Sequence, residues 1–390
     1  MHVIQTSDEA FQLLSGTESE FLSPLVNCSL DALFKSNPES APIALNLHFH
    51  EGLKSDYLQL LIRELNLYAQ KFGQRKAAKT WLRGAPLSCL SAAEITELSF
   101  LTASNFDMDE GTYSEYGFEC SVADINESNL ALMKGLRFTT LLLNIDAAHT
   151  PKTQQIWPLL DLIKQYKFQE LQFRLDVSNS DSTTLHHWLE SMMVSQPQLV
   201  ELHGLEEMSE PIILDQLTKL MSARGYTLIG DRFFVVKHHP LLHLKHLGKL
   251  QYTPWGLSHP EIKDWVGLGI GALGKIGRGF YQNIDKEQEY QSNLTQGMLP
   301  IQCSGMYPND NTAQVSALIE QLICLHQIPN PKNHPLIGEN PRIYQVFQQA
   351  CHKGWMIEEE KYLRISSQGL NHLHEITLKL LCREGGNIPP

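Results

Sequence analysis

The sequence predicts an incomplete (β/α) barrel followed by a mostly helical C-terminal domain with a winged-helix-like end. Three observations carry this. Short β-type runs alternate with amphipathic helical segments from residue 43 to about residue 250. A glycine-rich stretch, WVGLGIGALGKIGRGF, then breaks the alternation. The final unit, GWMIEEEKYLRISSQGLNHLHEITLKLLC, reads as a short hairpin followed by a helix.

Residues 1–42 are mixed and end in SNPESAP, a linker composition, so they are expected to be an N-terminal extension. The expected strands are IALNLHF (43–49), KTWLRG (79–84), YGFECS (116–121), TTLLLNI (139–145), ELQFRLDV (170–177), LVELHGLE (199–206) and TLIGDRFFVV (227–236). Helical segments lie between them. In the first, Leu58, Leu61, Ile62, Leu65 and Tyr68 share one face, and Gly73 closes the helix. A repeat of roughly 25–35 residues per strand and helix implies parallel strands with right-handed crossovers. Six such units and a seventh strand point to a full or partial barrel over 43–250, with ligands expected at the C-terminal strand ends. Helices near 312–327 and 341–353 mark a domain over 251–390. A chain of 390 residues suits one large domain with a smaller one appended.

Composition narrows the function. Apolar residues make up 42% and charged residues 19%, as in a globular chain. The net charge of −12 argues against a general nucleic-acid surface, because neutralising phosphates requires an excess of Lys and Arg on some face. No run approaches 18 apolar residues, so no membrane insertion is expected. The start, MHVIQTSDEAFQLLSG, has acidic residues where a secretory signal would be basic, and the expected location is the cytoplasm. Seven cysteines, at 28, 89, 120, 303, 324, 351 and 382, are scattered as suits reduced thiols. They form no CxxC or CxxxCxxC spacing.

The segments SARGYTLIGDRFF, WVGLGIGALGKIGRGFYQN, VSALIEQLIC and KGWMIEEEKYLRISSQGL resemble the oxygen-independent coproporphyrinogen III oxidases, also called coproporphyrinogen dehydrogenases. The resemblance runs from about residue 43 and is strongest after 220. It implies a barrel of the radical S-adenosylmethionine type, carrying a 4Fe–4S cluster and S-adenosylmethionine, and a helical domain over a porphyrinogen. In that family the first strand ends in a His, an apolar residue and a Pro, and a CxxxCxxC loop follows. Here His48 matches the His, His50 stands in place of the Pro, and the cysteine loop is missing. The family's GGGTP corresponds to Arg83-Gly84-Ala85-Pro86-Leu87, so an arginine stands where glycine leaves space. The resemblance places Glu119 and Asp176 in the cofactor-binding set, whereas the glutamine expected on the fourth strand is replaced by Ile145.

The expected protein is therefore a degenerate, non-catalytic member with no cluster and no S-adenosylmethionine, since the cluster needs thiolate ligands. Its expected role is binding or regulation, with a tetrapyrrole ligand or a protein partner. Glu119 and Asp176 are expected to pair with Arg83 or Arg174 in a collapsed pocket. Arg83, Arg174, Arg232 and Arg278 are candidates to receive propionates, and Ile270 to Phe280 to line an apolar wall. GLGIGALGKIG lacks the strand before and the acidic residue after it that a dinucleotide fingerprint needs.

Alternatives stay open. His48 and His50 form an HxH at a strand end, as in metal-dependent barrel hydrolases, with His203 as a further donor. In KHHPLLHLKH, His239, His243 and His246 would align on a helix and could ligate haem iron or a divalent metal. An active enzyme holding its cluster in another way would draw on Cys89 or Cys120 together with cysteines of a second chain.

Overall fold

The computed structural model describes residues 26–35, 41–50, 52, 56–73, 75–108, 111, 114–148, 156–178, 180–205, 214–253, 255–306, 310–330, 337 and 340–381. Most of the expected extension over 1–42 lies outside them, as does Cys382. The described residues fall into two compact units, one within Asn27–Ser209 and Glu261–Met306, the other within Glu210–Pro260 and Tyr307–Pro390. This division differs from the boundary expected at 250, because residues 261–306 group with the strands of the first half.

In the first unit six strands lie side by side in sequence order, all parallel: β1 (Ile43–Phe49), β2 (Lys76–Gly84), β3 (Glu115–Ser121), β4 (Thr140–Asp146), β5 (Glu170–Asp176) and β6 (Leu199–His203). The crossovers are α1 (Tyr57–Phe72), α2 (Ala92–Asn105), α3 (Glu127–Gly135), α4 (Trp157–Tyr166) and α5 (Ser182–Ser195). Local chemistry sets their ends. Ser91 and Glu94 close a capping box at the start of α2, the Asn126 side chain accepts from the Asn129 amide to start α3, and Gly73 at φ 64° ends α1. Leu58, Leu61, Leu65 and Tyr68 of α1 are buried, each apolar side chain contributing about 1.5–3 kcal/mol relative to exposure.

The glycine-rich stretch extends this sheet and does not open a helical domain. Asp264–Leu268 pairs in parallel with β1, and Leu273–Ile276, Gly279–Asn283 and Ile301–Met306 follow as antiparallel neighbours. Glycine is what lets these strands close up. A Cβ at Gly267 would collide with the Leu273 carbonyl, and one at Gly274 with the Tyr281 ring. With both absent, the Tyr281 hydroxyl reaches the Gly267 amide at 3.0 Å and the Gly267 carbonyl at 3.1 Å. Among the described residues the paired strands form an open path, so the barrel is incomplete.

In the second unit TLIGDRFFVV is an antiparallel hairpin, Tyr226–Ile229 with Phe233–Val236. Gly230, at φ 63°, supplies the left-handed residue for its turn. The helix Asp310–Leu325, the strand Gln327–Pro329, the helix Pro341–His352 and the hairpin Met356–Glu358 with Tyr362–Ile365 form the expected winged-helix-like end, followed by the helix Leu373–Leu381. No helix among the described residues is long and apolar enough to cross a membrane.

A buried polar node fixes the turn after Leu268. The Glu64 carboxylate, on α1, accepts from the Tyr290 hydroxyl at 2.6 Å, the Gly269 amide at 2.8 Å and the Asn283 side-chain amide at 2.6 Å. The Tyr57 hydroxyl donates to the His48 carbonyl at 2.7 Å and accepts from the Ile270 amide at 3.3 Å. The flanking ionisable side chains are the tyrosines Tyr57, Tyr68, Tyr281 and Tyr290. Burial pushes the Glu64 carboxyl up to about 7, against the pull of its three donors. Its usual value is 4.5, so the stability that Glu64 contributes is complete below pH 4.5 and is lost as the pH rises through about 7. We expect urea midpoints between pH 5 and pH 8 to fall with pH in the wild type and less steeply in Glu64→Gln. An identical slope in the variant would exclude this carboxyl as the group responsible.

Candidate functional site

Alternate residues of a strand face one side, and neighbouring registers carry that alignment across the sheet. His48 pairs with Arg83, Trp81 with Gly117, Asn144 with Arg174 and Arg174 with Glu201. Near the C-terminal strand ends this face therefore collects charge from strands that are otherwise apolar.

The charges are joined into one network. Arg83 Nη1 donates to Glu119 Oε1 at 2.8 Å, and its Nε to Asn46 Oδ1 at 3.2 Å. Arg174 Nη1 lies 3.3 Å from Glu119 Oε2, and Arg174 Nε donates to Glu201 Oε2 at 2.8 Å. Glu201 Oε1 is 2.7 Å from His203 Nε2. One layer nearer the strand starts, Lys79 pairs with Glu115, which also accepts from Trp81 Nε1 at 3.0 Å. Three cations face three carboxylates, all but Arg174 and Glu115 nearly dry. Burial alone would raise the Glu119 carboxyl, but Arg174, Arg83 and the Gly84 amide outweigh it and hold the group at about 2. Arg174, which burial would lower, is raised by Glu201 and Glu119, while for Arg83 burial prevails and lowers the value.

The strand ends are also closed against each other. The Ala85 amide donates to the Phe49 carbonyl at 3.1 Å, and Gly84, at φ 80°, approaches so near that a Cβ would strike that same carbonyl. The Gly84 amide donates to Glu119 Oε2 at 3.0 Å. Arg83 lies with its guanidinium 4.0 Å from the Trp81 ring centre. Trp81 has room because Gly117 lies opposite, where a Cβ would come within 2.5 Å of the indole.

The other candidates are dispersed. His50 Nε2 lies 3.1 Å from the Ile270 carbonyl, and the His50 carbonyl accepts from the Cys89 thiol at 3.1 Å. Half-buried His48 is driven down to about 3 by burial, His50 and Arg83, so it is a neutral imidazole. Among the described residues no group of three His, Cys, Asp or Glu side chains is placed to hold a metal. Asp176 caps its own strand end by accepting from the Ser178 amide at 2.9 Å, beside Asp146 and His203 in register. Ile145 and Cys120 are buried, and Cys120, adjacent to Glu119, faces the other side of the sheet.

Several expectations need correction. Leu273–Ile276 runs antiparallel to Asp264–Leu268, whose first residue pairs with Ile43, so the turn carrying Arg278 lies at the strand end opposite His48. The Gly277 amide donates to Asp264 Oδ1 at 2.7 Å there, and Arg278 is exposed. Phe280 pairs with Lys275 in the same two strands, so Ile270 to Phe280 is a hairpin leading away from the site and not a wall. Arg232 lies in the second unit, where Nη2 donates to the Tyr252 hydroxyl at 2.8 Å and Nε is 3.4 Å from Asp231. His239 is the N-cap of the helix Pro240–His246, its Nδ1 accepting from the Leu241 amide at 3.1 Å. It is buried and His243 is exposed, so the imidazoles do not form one ligating face.

Sequence reasoning missed Lys79, Glu115, Glu201, Asn46 and Trp81. Their signal was the i, i+2 charge pattern Lys79, Trp81, Arg83 and Glu115, Gly117, Glu119 within strands otherwise rich in apolar residues. Glu119→Gln preserves shape but leaves Arg83 and Arg174 one carboxylate short. We expect it to cost about 3–5 kcal/mol in urea denaturation at pH 7. The Glu119 contribution is present above its usual 4.5 and is lost as the pH falls through about 2, so the gap between variant and wild type should narrow below pH 4.5.

No family model matches the chain. The oxygen-independent coproporphyrinogen III oxidase of Pseudomonas aeruginosa is 21% identical over 304 residues, which are 70% of this chain and 66% of that protein, just under two thirds of its length. The solved coproporphyrinogen III oxidase HemN of Escherichia coli, described as a radical SAM enzyme, superposes with a TM-score of 0.79 at 16% identity, over 90% of this chain and 93% of that one. In sequence and in fold alike, the chain resembles the oxygen-independent coproporphyrinogen III oxidases.

Proposed function

We propose that this chain is a non-catalytic relative of coproporphyrinogen III oxidase, acting as a binding or regulatory protein for a porphyrin or haem-related ligand. One observation supports the non-catalytic part: the ion pair of Arg83 with Glu119 lies at the strand ends where the sequence resemblance implies cofactor binding. The donor chemistry agrees. A 4Fe–4S cluster with three protein ligands needs three thiolates at one place. Near β1 the sequence offers His48, Phe49 and His50 but no CxxxCxxC loop. Cys89 directs its thiol to the His50 carbonyl, and Cys120 is buried with burial raising its thiol well above the usual value. The residues present do not fit the cluster. At the end of β2 an arginine side chain stands where the resemblance implies glycine, and its carboxylate partner Glu119 also accepts from the Gly84 amide.

The ligand class comes from the likeness to those two proteins. With Arg83 and Arg174 committed to Glu119 and Glu201, a porphyrin carboxylate would find its partners outside this network. The test is anaerobic reconstitution with iron and sulfide, followed by titration with haem, coproporphyrin III and S-adenosylmethionine, read by optical spectra and thermal shift. We expect no cluster absorbance, no response to S-adenosylmethionine and a saturable response to a tetrapyrrole, worth roughly 2.7 kcal/mol at 100 times its dissociation constant. A brown protein that cleaves S-adenosylmethionine under a strong reductant would overturn the non-catalytic reading. Silence toward both tetrapyrroles would overturn the ligand assignment.

A further inference from the structure

The Arg83 guanidinium is held as a receptor holds a small organic cation. It lies 4.0 Å from the Trp81 ring centre, donates from Nη1 to Glu119 at 2.8 Å and donates from Nε to the Asn46 side-chain oxygen Oδ1 at 3.2 Å. The site is nearly dry: Asn46 is 0% exposed, Trp81 3%, Glu119 4% and Arg83 6%. An aromatic face, a carboxylate and an amide oxygen converging without water are the chemistry that recognises a planar, delocalised cation.

Each of these groups is positioned by something other than Arg83. Trp81 is held by Glu115 through its indole N–H and by the space opposite Gly117. Glu119 is held by the Gly84 amide and by Arg174. Asn46 sits within β1, flanked in register by Trp81 on one side and Gly267 on the other. The receptor is therefore organised before its occupant arrives.

We propose that Trp81, Glu119 and Asn46 form a binding site for a small organic cation, closed in this protein by Arg83 acting as a tethered internal ligand. The tether favours Arg83 over a free cation, because an attached group competes at an effective concentration of millimolar or more. This site is independent of the porphyrin reading and stands or falls separately from it.

Arg83→Ala removes the side chain beyond Cβ, and ethylguanidinium carries the missing atoms. In the full-length Arg83→Ala variant, ethylguanidinium at ten times its dissociation constant should raise the thermal midpoint by about 2 °C. Wild type should show no saturable shift, nor should the double variant Arg83→Ala with Glu119→Gln. Ethylurea, similar in shape but uncharged, should leave Arg83→Ala unmoved. An Arg83→Ala protein indifferent to ethylguanidinium, or one that responds equally to ethylurea, overturns the proposal. Should the variant be recovered only from denaturant, its refolding yield with and without ethylguanidinium decides the matter: a higher yield with the cation supports the site, and equal yields overturn it.

Discussion

Glu119 is the carboxylate on which the strand ends of the first unit depend. It draws Arg83 from β2 and Arg174 from β5 to its own strand and takes the Gly84 amide as well. Such an arrangement is costly to assemble, because each ion loses its hydration, and costly to break, because a lone partner is left charged in a dry place. Matching three cations to three carboxylates keeps the cost tolerable. The result favours one register of neighbouring strands over its alternatives, since a slip of one residue would turn these charges into the apolar layer.

The opposite side of β1 is anchored by a different kind of interaction. Glu64 gathers neutral donors rather than cations, so burial prevails and its carboxyl is raised, while Glu119, equally buried, is lowered by two guanidinium groups. Two glutamates thus behave in opposite ways for one reason, the charge of what faces them. Glu64 and Tyr57 together place the turn at Gly269 and Ile270 beside the end of β1, where the Ile270 carbonyl meets His50. His50 thereby acquires a structural partner, which makes the HxH pair a poor start for a metal site.

The strand ends also show how charged side chains can be packed inside a parallel sheet. Arg83 would be a buried, unmatched charge without Glu119 to meet it. Trp81 supplies the remaining surface, and Gly117 supplies the room for Trp81. The fold shared with HemN therefore persists while the face it presents is packed with its own side chains.

What the sequence determined by itself was local. The alternation of apolar strands with amphipathic segments located the six parallel strands to within a few residues, and the closing hairpin followed by a helix was equally plain. The absence of a CxxxCxxC spacing, the arginine at position 83 and a pairing of Glu119 with Arg83 or Arg174 were also legible, because each starts from residue identity. Only the tertiary structure decided the rest. The glycine-rich stretch has no period that separates strand from loop, and its pairing with β1 comes from a neighbour more than two hundred residues away. The same distance in sequence hid the Arg278 turn at the far strand end and the bond from Glu64 to Gly269. Hydrophobic period records which way a side chain points, whereas partners across a sheet are set by register and crossover, which a linear pattern does not encode.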